Sequence, residues 1–187
     1  MQHSISHTTL PVEEKRQKQF LELYEPIHNS FCRYCRAISG NTADAEDLVQ
    51  DTVLSVLESY DRIRDLTFFK SYLYSVAANL NKMKRRRLKF RAEFKEDELS
   101  EVLDPGNRLE SVTDFGIIYE KMMALPQKMA ETLILYHISD LSLEEIQKIQ
   151  GGSLSGVKLR LKRGREKLLK SLNTPEQVRM AMLLFTL

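Results

Sequence analysis

The sequence has no tryptophan, only two cysteines, and few residues that interrupt helices: seven glycines and five prolines among 187 residues. So few breakers argue against an all-β chain, which needs turn residues at roughly every 8–12 positions, and favour an all-α fold. No basic start followed by an apolar run opens the chain, and no stretch approaches the roughly 18 apolar residues that cross a membrane. No membrane insertion is therefore expected, and a cytoplasmic location is. Net charge is scarce too: 28 Lys and Arg against 26 Asp and Glu leave a formal +2, too little to imply nucleic-acid binding by itself. Any such argument must rest on where the charges lie.

What is present is helical periodicity in two blocks. Phe20, Leu23, Tyr24, Ile27, Phe31, Tyr34 and Ile38 keep a helical spacing interrupted by Pro26, which predicts two helices meeting there. Asn41 or Thr42 can cap a helix running to about Tyr60. Its two faces separate cleanly: Val49, Thr52, Val53, Val56, Leu57 and Tyr60 on one side, Asp44, Asp47, Asp51 and Glu58 on the other, with no Lys or Arg between Ala37 and Asp61. A third helix places Phe69, Tyr72, Leu73, Val76, Leu80 and Met83 on one face and then enters the run Lys82 to Arg91, where seven of ten residues are basic. From Glu93 to Asp114 the composition inverts to eight acids around the turn signal Asp104-Pro105-Gly106-Asn107, as expected of a linker. Periodicity resumes at Ile117, stops at Leu125-Pro126 and restarts at Met129. Ser142-Leu-Glu-Glu145 is a capping-box signature for a short helix, Gly151-Gly152 turns the chain, and Ser153 caps a last long helix with the inner stripe Leu154, Val157, Leu161, Leu168 and Leu172. The expected architecture is two small helical domains, 12–91 and 115–173, joined by an acidic linker, 92–114, and followed by an apolar tail, 174–187.

A short helix, a glycine turn and a longer basic helix form a helix-turn-helix, whose second helix enters the DNA major groove. Either basic block alone has a bland reading as a solvated surface. Together, in separate domains, they make one extended nucleic acid the economical partner. The acidic stripe resists that partner, since carboxylates repel phosphates, and should face something basic that is not DNA.

Asp44-Ala-Glu-Asp-Leu-Val-Gln-Asp-Thr-Val53, Phe69-Lys-Ser-Tyr-Leu-Tyr-Ser-Val-Ala-Ala-Asn79 with Arg85-Arg-Arg87, Leu141-Ser-Leu-Glu-Glu-Ile146 and Val157-Lys-Leu-Arg-Leu-Lys-Arg163 together resemble the extracytoplasmic-function sigma factors of the sigma-70 family. The likeness spans roughly residues 18–172 and lies in the order of the motifs more than in any one. It implies a transcription initiation factor, not an enzyme, whose acidic helix docks on core RNA polymerase through Asp44, Asp47, Gln50 and Asp51. It also implies that the loop before the third helix and that helix's end read and melt the minus-ten element. Asn79, Asn81, Lys82, Arg85 and Arg86 suit that task, with Tyr72 or Tyr74 as stacking candidates, although Tyr72 is assigned to the core. The last helix would read the minus-thirty-five element of promoter DNA through Ser155, Lys158, Leu159, Lys162 and Arg163. An anti-sigma partner is compatible with the likeness. No cofactor or metal is implied. Gly156, Leu159, Gly152 and Met83 depart from the usual family residues Thr, Ser, an apolar side chain and Asp, so no promoter sequence is carried over.

Two rival functions remain. A stand-alone helix-turn-helix regulator would bind DNA without polymerase. An enzyme built on His28, Cys32 and Cys35 is disfavoured, because no carboxylate or phosphate-binding loop accompanies them; the two cysteines sharing a face with His28 could also be a redox or metal pair, but no second Cys/His cluster offers a fourth ligand, and two small thiols beside the core is the plainer reading. The tail starts like a helix at Thr174-Pro175-Glu176 and is apolar on nearly every side. It is expected to pack back on the C-terminal domain; the alternative is that it docks between the domains and holds the free protein closed.

Overall fold

The computed structural model describes residues 12–94 and 114–186, so the linker reading of 95–113 lies outside the described residues. Every regular element among them is helical. The first bundle contains α1 (Val12–Tyr24), α2 (His28–Ser39), α3 (Thr42–Glu58) and α4 (Phe69–Phe94); the second contains α5 (Asp114–Met123), α6 (Gln127–His137), α7 (Leu143–Gln150), α8 (Leu154–Ser171) and α9 (Pro175–Thr186).

Local chemistry sets most boundaries. Pro26 sits in a single 3-10 turn, Glu25–Ile27, which carries α1 into α2 without requiring its missing N–H. α2 ends at Gly40 in the left-handed region (φ 88°), and Asn41 then caps α3 by accepting from the Asp44 N–H at 2.8 Å. Both halves of the capping box at α7 form: the Ser142 N–H donates to Glu145 at 2.8 Å and the Glu145 N–H to the Ser142 hydroxyl at 3.2 Å.

In the first bundle an aromatic cluster does what tryptophan often does. Phe20 meets Phe69 edge-on at 5.4 Å, Phe31 meets Tyr74 at 5.3 Å, and Tyr34 lies 4.9 Å from Tyr74. Most of the expected stripe of α4 turns inward, with Val76 and Leu80 half-buried against the core, but Tyr72 and Met83 do not. Phe69, Leu73, Tyr74 and Ala77 are buried, whereas Tyr72 and Met83 are exposed. The reason is α2: Tyr74 reaches across to donate to the Ser30 hydroxyl at 3.1 Å, while the Tyr72 hydroxyl pairs with Ser59 at the surface.

The second bundle buries Ile118, Met122, Leu133, Ile134, Leu135, Ile146, Val157, Leu161 and Leu168. α8 lies close against α6 because Gly164 is buried there, where a Cβ would stand 3.3 Å from Leu133. Ala181 is fully buried, α9 packs on α5, and its Phe185 ring lies 4.9 Å from the His137 ring of α6. The tail thus belongs to the second bundle and does not lie between the two.

The bundles themselves touch. Arg33 of α2 donates to the Ile138 carbonyl at 2.8 Å and to the Asp140 carboxylate at 2.7 Å. Lys70 at the start of α4 pairs with Glu145 of α7 at 2.9 Å.

Candidate nucleic-acid interface and acidic helix face

α3 turns Ala45, Leu48, Thr52 and Val56 inward, which leaves Glu46, Asp47, Gln50, Asp51 and Glu58 exposed along the opposite side. Asp44 differs from the other predicted acids. Its carboxylate accepts from Lys84 of α4 at 2.5 Å and from the Asn41 amide at 2.9 Å. These bonds, Lys84's above all, hold Asp44 below the usual carboxylate range. Asp44 therefore ties α3 to α4, while Asp47, 4.0 Å from the same ammonium and mostly exposed, remains available with Gln50 and Asp51. Leu54 stands 58% exposed beside this stripe, three residues after Asp51 and four after Gln50. An apolar side chain ringed by acids has the anatomy of a docking centre. Its helical spacing is readable in the sequence, but no pattern of charge points to it.

The basic end of α4 is exposed. Asn79, Lys82, Arg85 and Arg86 face a groove of about 820 Å³ whose far wall includes Gln127, Lys128, Glu131 and Gln150 of the second bundle. Asn81 is committed elsewhere: its amide donates to the Ile38 carbonyl at 2.9 Å and fixes α4 on α2. Of the two stacking candidates, Tyr74 is buried and only Tyr72 reaches the surface. Phe68 offers a better exposed ring. It ends the 3-10 turn Leu66–Phe68 just before α4, is 45% exposed, and carries the Lys148 ammonium 4.6 Å from its centroid.

On α8 the predicted readers share the outer face. Ser155, Lys158, Leu159, Lys162 and Arg163 are all exposed, Leu159 by 45%. Gly151 and Gly152, with φ of 71° and 87°, make the turn that sets α8 against α7. Arg165, by contrast, turns inward, its guanidinium 5.4 Å from both the Tyr136 and Phe185 rings and its Nε donating to His137 Nε2 at 3.0 Å. Burial, followed by that guanidinium, pushes the His137 pKa down to about 4. Arg165 thus secures the tail, whereas Lys158, Lys162 and Arg163 stay exposed.

The Cys32 Sγ lies 3.6 Å from the His28 Nε2. The His28 Nδ1 pairs with the Tyr24 hydroxyl at 2.9 Å, and burial raises the pKa of both thiols, most strongly at fully buried Cys35.

Residues 23–91 match the family sigma-70 region 2, and residues 115–168 match sigma-70 region 4. The RNA polymerase sigma factor SigV of Bacillus subtilis is 30% identical over 138 residues, covering 71% of this chain and 78% of that protein. The ECF RNA polymerase sigma factor SigW of the same species is 27% identical over 184 residues, 92% of this chain and 98% of that one. The chain belongs to the extracytoplasmic-function group of the sigma-70 family.

Two solved structures share the fold. The sigma factor RpoE of Bartonella quintana, in complex with the anti-sigma factor NepR, aligns with a TM-score of 0.65 at 23% identity, covering 83% of this chain and 96% of that one. CnrH, in complex with the cytosolic domain of CnrY, gives 0.60 at 21% identity over 83% of this chain and 88% of that one. The matched regions coincide with the two bundles, so α3 and α4 lie in region 2 and the helix-turn-helix α7–α8 in region 4.

Proposed function

We propose that this sigma factor binds core RNA polymerase through the exposed acidic face of α3 and carries it to promoters read by two separate surfaces. The observation that supports this most is the partition of charge on the matched fold: an exposed acidic face on α3, exposed cations at the end of α4, and exposed cations on α8. Asp47, Gln50 and Asp51, with Leu54 among them, suit a basic protein surface. Asn79, Lys82, Arg85 and Arg86, with an aromatic ring at the loop before α4, suit the minus-ten element. There the cations neutralise phosphates and a ring stacks on an unpaired base. Ser155, Lys158, Leu159, Lys162 and Arg163 suit the major groove of the minus-thirty-five element, with apolar Leu159 matched to a thymine methyl. The task is recognition, not catalysis, and its setting is the cytoplasm. An anti-sigma partner, of the kind bound to RpoE of Bartonella quintana, belongs to the same reading.

The test is the double reversal Asp47→Lys/Asp51→Lys. Both side chains are exposed, so helicity and melting should be unchanged while capture by core polymerase is lost. A folded double variant that still pulls down core polymerase would remove α3 from the docking surface.

A further inference from the structure

We propose that Cys32 and Cys35 form an oxidation switch in α2: His28 takes the proton of the Cys32 thiol, a hydroperoxide oxidises the resulting thiolate, and Cys35 closes the disulfide. Promoter recognition as proposed above uses none of these three residues.

His28 and Cys32 stand one helical turn apart on α2, with Cys35 three residues further on, so the three share a side of the helix. They are not equally reachable: His28 is exposed, Cys32 half-buried and Cys35 fully buried. Both thiols are free. The His28 ring is held from two sides, its Nδ1 2.9 Å from the Tyr24 hydroxyl and its Nε2 3.6 Å from the Cys32 Sγ. Burial keeps Tyr24 a neutral phenol, its pKa pushed up to about 12, so its oxygen can accept the Nδ1–H. That tautomer leaves the Nε2 lone pair facing the thiol. A nucleophile, a base and a third group that orients the base is the arrangement that activates a cysteine.

The base is needed. Burial pushes the Cys32 thiol up, and Arg36, one turn further on, offsets this only in part. Cys32 therefore rests protonated and reacts when its proton passes to His28. Cys35 has no such neighbour: burial raises its thiol further, and Cys32 adds to the effect, so the two sulfurs lie within electrostatic reach of each other. In the first step the Cys32 thiolate attacks a peroxide oxygen, the O–O bond breaks, and the sulfur becomes a sulfenic acid while the departing oxygen takes the proton from His28. In the second the Cys35 sulfur attacks the Cys32 sulfur, the S–O bond breaks, and the hydroxyl leaves as water with the Cys35 proton. One hydroperoxide is reduced and two thiols are oxidised.

Helix geometry makes the pair a switch. Residues three apart in an α-helix have Cα atoms about 5 Å apart, inside the disulfide range of about 4.4–6.8 Å. Their Cβ atoms are roughly 5–6 Å apart, whereas a disulfide draws them to about 3.5–4.5 Å. Closing the bond must therefore tighten the turn 32–35. That turn carries Arg33, which donates to the Ile138 carbonyl and to Asp140, and Tyr34, whose hydroxyl donates to Glu131 at 3.4 Å. Oxidation is thus felt where α2 meets the second bundle.

The test treats the full reduced chain with hydrogen peroxide and maps its cysteines by mass spectrometry without reductant. Wild type should form a disulfide between Cys32 and Cys35, dithiothreitol should restore both thiols, and the oxidised chain should melt several degrees below the reduced one. Cys35→Ser should stop at a sulfenic acid on Cys32, trapped by dimedone. His28→Ala, an exposed change that should leave the melting of the reduced chain unaltered, should slow Cys32 oxidation by about tenfold or more, and added imidazole should recover part of the rate. Equal rates in wild type and His28→Ala would overturn the role of His28. Oxidation of Cys32 in wild type without a disulfide would overturn the pairing, and an oxidised chain that melts like the reduced one would overturn the link to the second bundle.

Discussion

Replacing Gly164 by alanine should have an effect that depends on Leu133. In a helix free of neighbours the change would stabilise by about 1 kcal/mol, the difference in helix propensity. At 164, however, the new Cβ would lie 3.3 Å from the Leu133 Cγ and 3.4 Å from its Cδ1, and Leu133 is fully buried. Overpacking of this kind costs about 1–3 kcal/mol, so Gly164→Ala alone is expected to be neutral to destabilising by up to about 2 kcal/mol. Leu133→Ala should cost about 2–5 kcal/mol but clears the space. On that background Gly164→Ala should recover the full propensity gain of about 1 kcal/mol and fill part of the cavity. Urea unfolding followed by circular dichroism, at unchanged m, gives all four corners of the cycle. An effect of Gly164→Ala equal on both backgrounds to within about 0.5 kcal/mol would refute the close α6–α8 contact, because that is how independent sites behave.

Three other expectations follow from individual contacts. His137 should titrate near 4 and, because its folded pKa lies below its ordinary 6.5, its neutral form contributes stability that is present above pH 6.5 and lost as pH falls toward 4; Phe185→Ala should move the NMR midpoint upward, and no movement would mean that α9 does not shield the ring. Asp44 is held low by Lys84, so its contribution is present above the usual carboxylate range and lost as pH falls through its lowered value; Lys84→Met should flatten that acid dependence while costing no more than about 1 kcal/mol at neutral pH for so exposed a pair, and an unchanged acid limb would dissolve the α3–α4 tie. On α8, Arg163→Ala should cost about 1–3 kcal/mol at particular promoter positions if it touches a base, whereas a phosphate contact at Lys158 should weaken all sequences alike and reduce the salt slope by about 1; wild-type transcription by both variants would displace the recognition face.

Features governed by near neighbours along the chain are legible from the residues alone. The Ser142–Glu145 box, the Asn41 cap and the break at Pro26 each depend on atoms within four residues, and they form where expected. The order of motifs likewise reveals the family. What escapes such reading is decided by packing between distant elements. A helical wheel cannot tell that α2 draws Tyr74 inward and leaves Tyr72 outside, since Ser30 lies 44 residues away. Gly164 looks like a weak spot in a helix until Leu133 is seen above it. Asp44 and Lys84 belong to stripes of opposite charge on different helices, and only the α3–α4 crossing pairs them. Arg165 is indistinguishable in sequence from its exposed basic neighbours, yet it is held by Tyr136, His137 and Phe185. Nor does any local pattern announce that Arg33 will find Asp140, 107 residues further along the chain.

The sigma assignment is tested most directly by run-off transcription from a promoter template carrying minus-thirty-five and minus-ten elements, with core polymerase and this chain added separately and together. Specific transcripts should appear only when both are present, and the chain alone should leave little footprint on either element. A strong sequence-specific footprint by the chain alone, with no stimulation of core polymerase, would contradict the assignment and identify a stand-alone DNA-binding regulator instead.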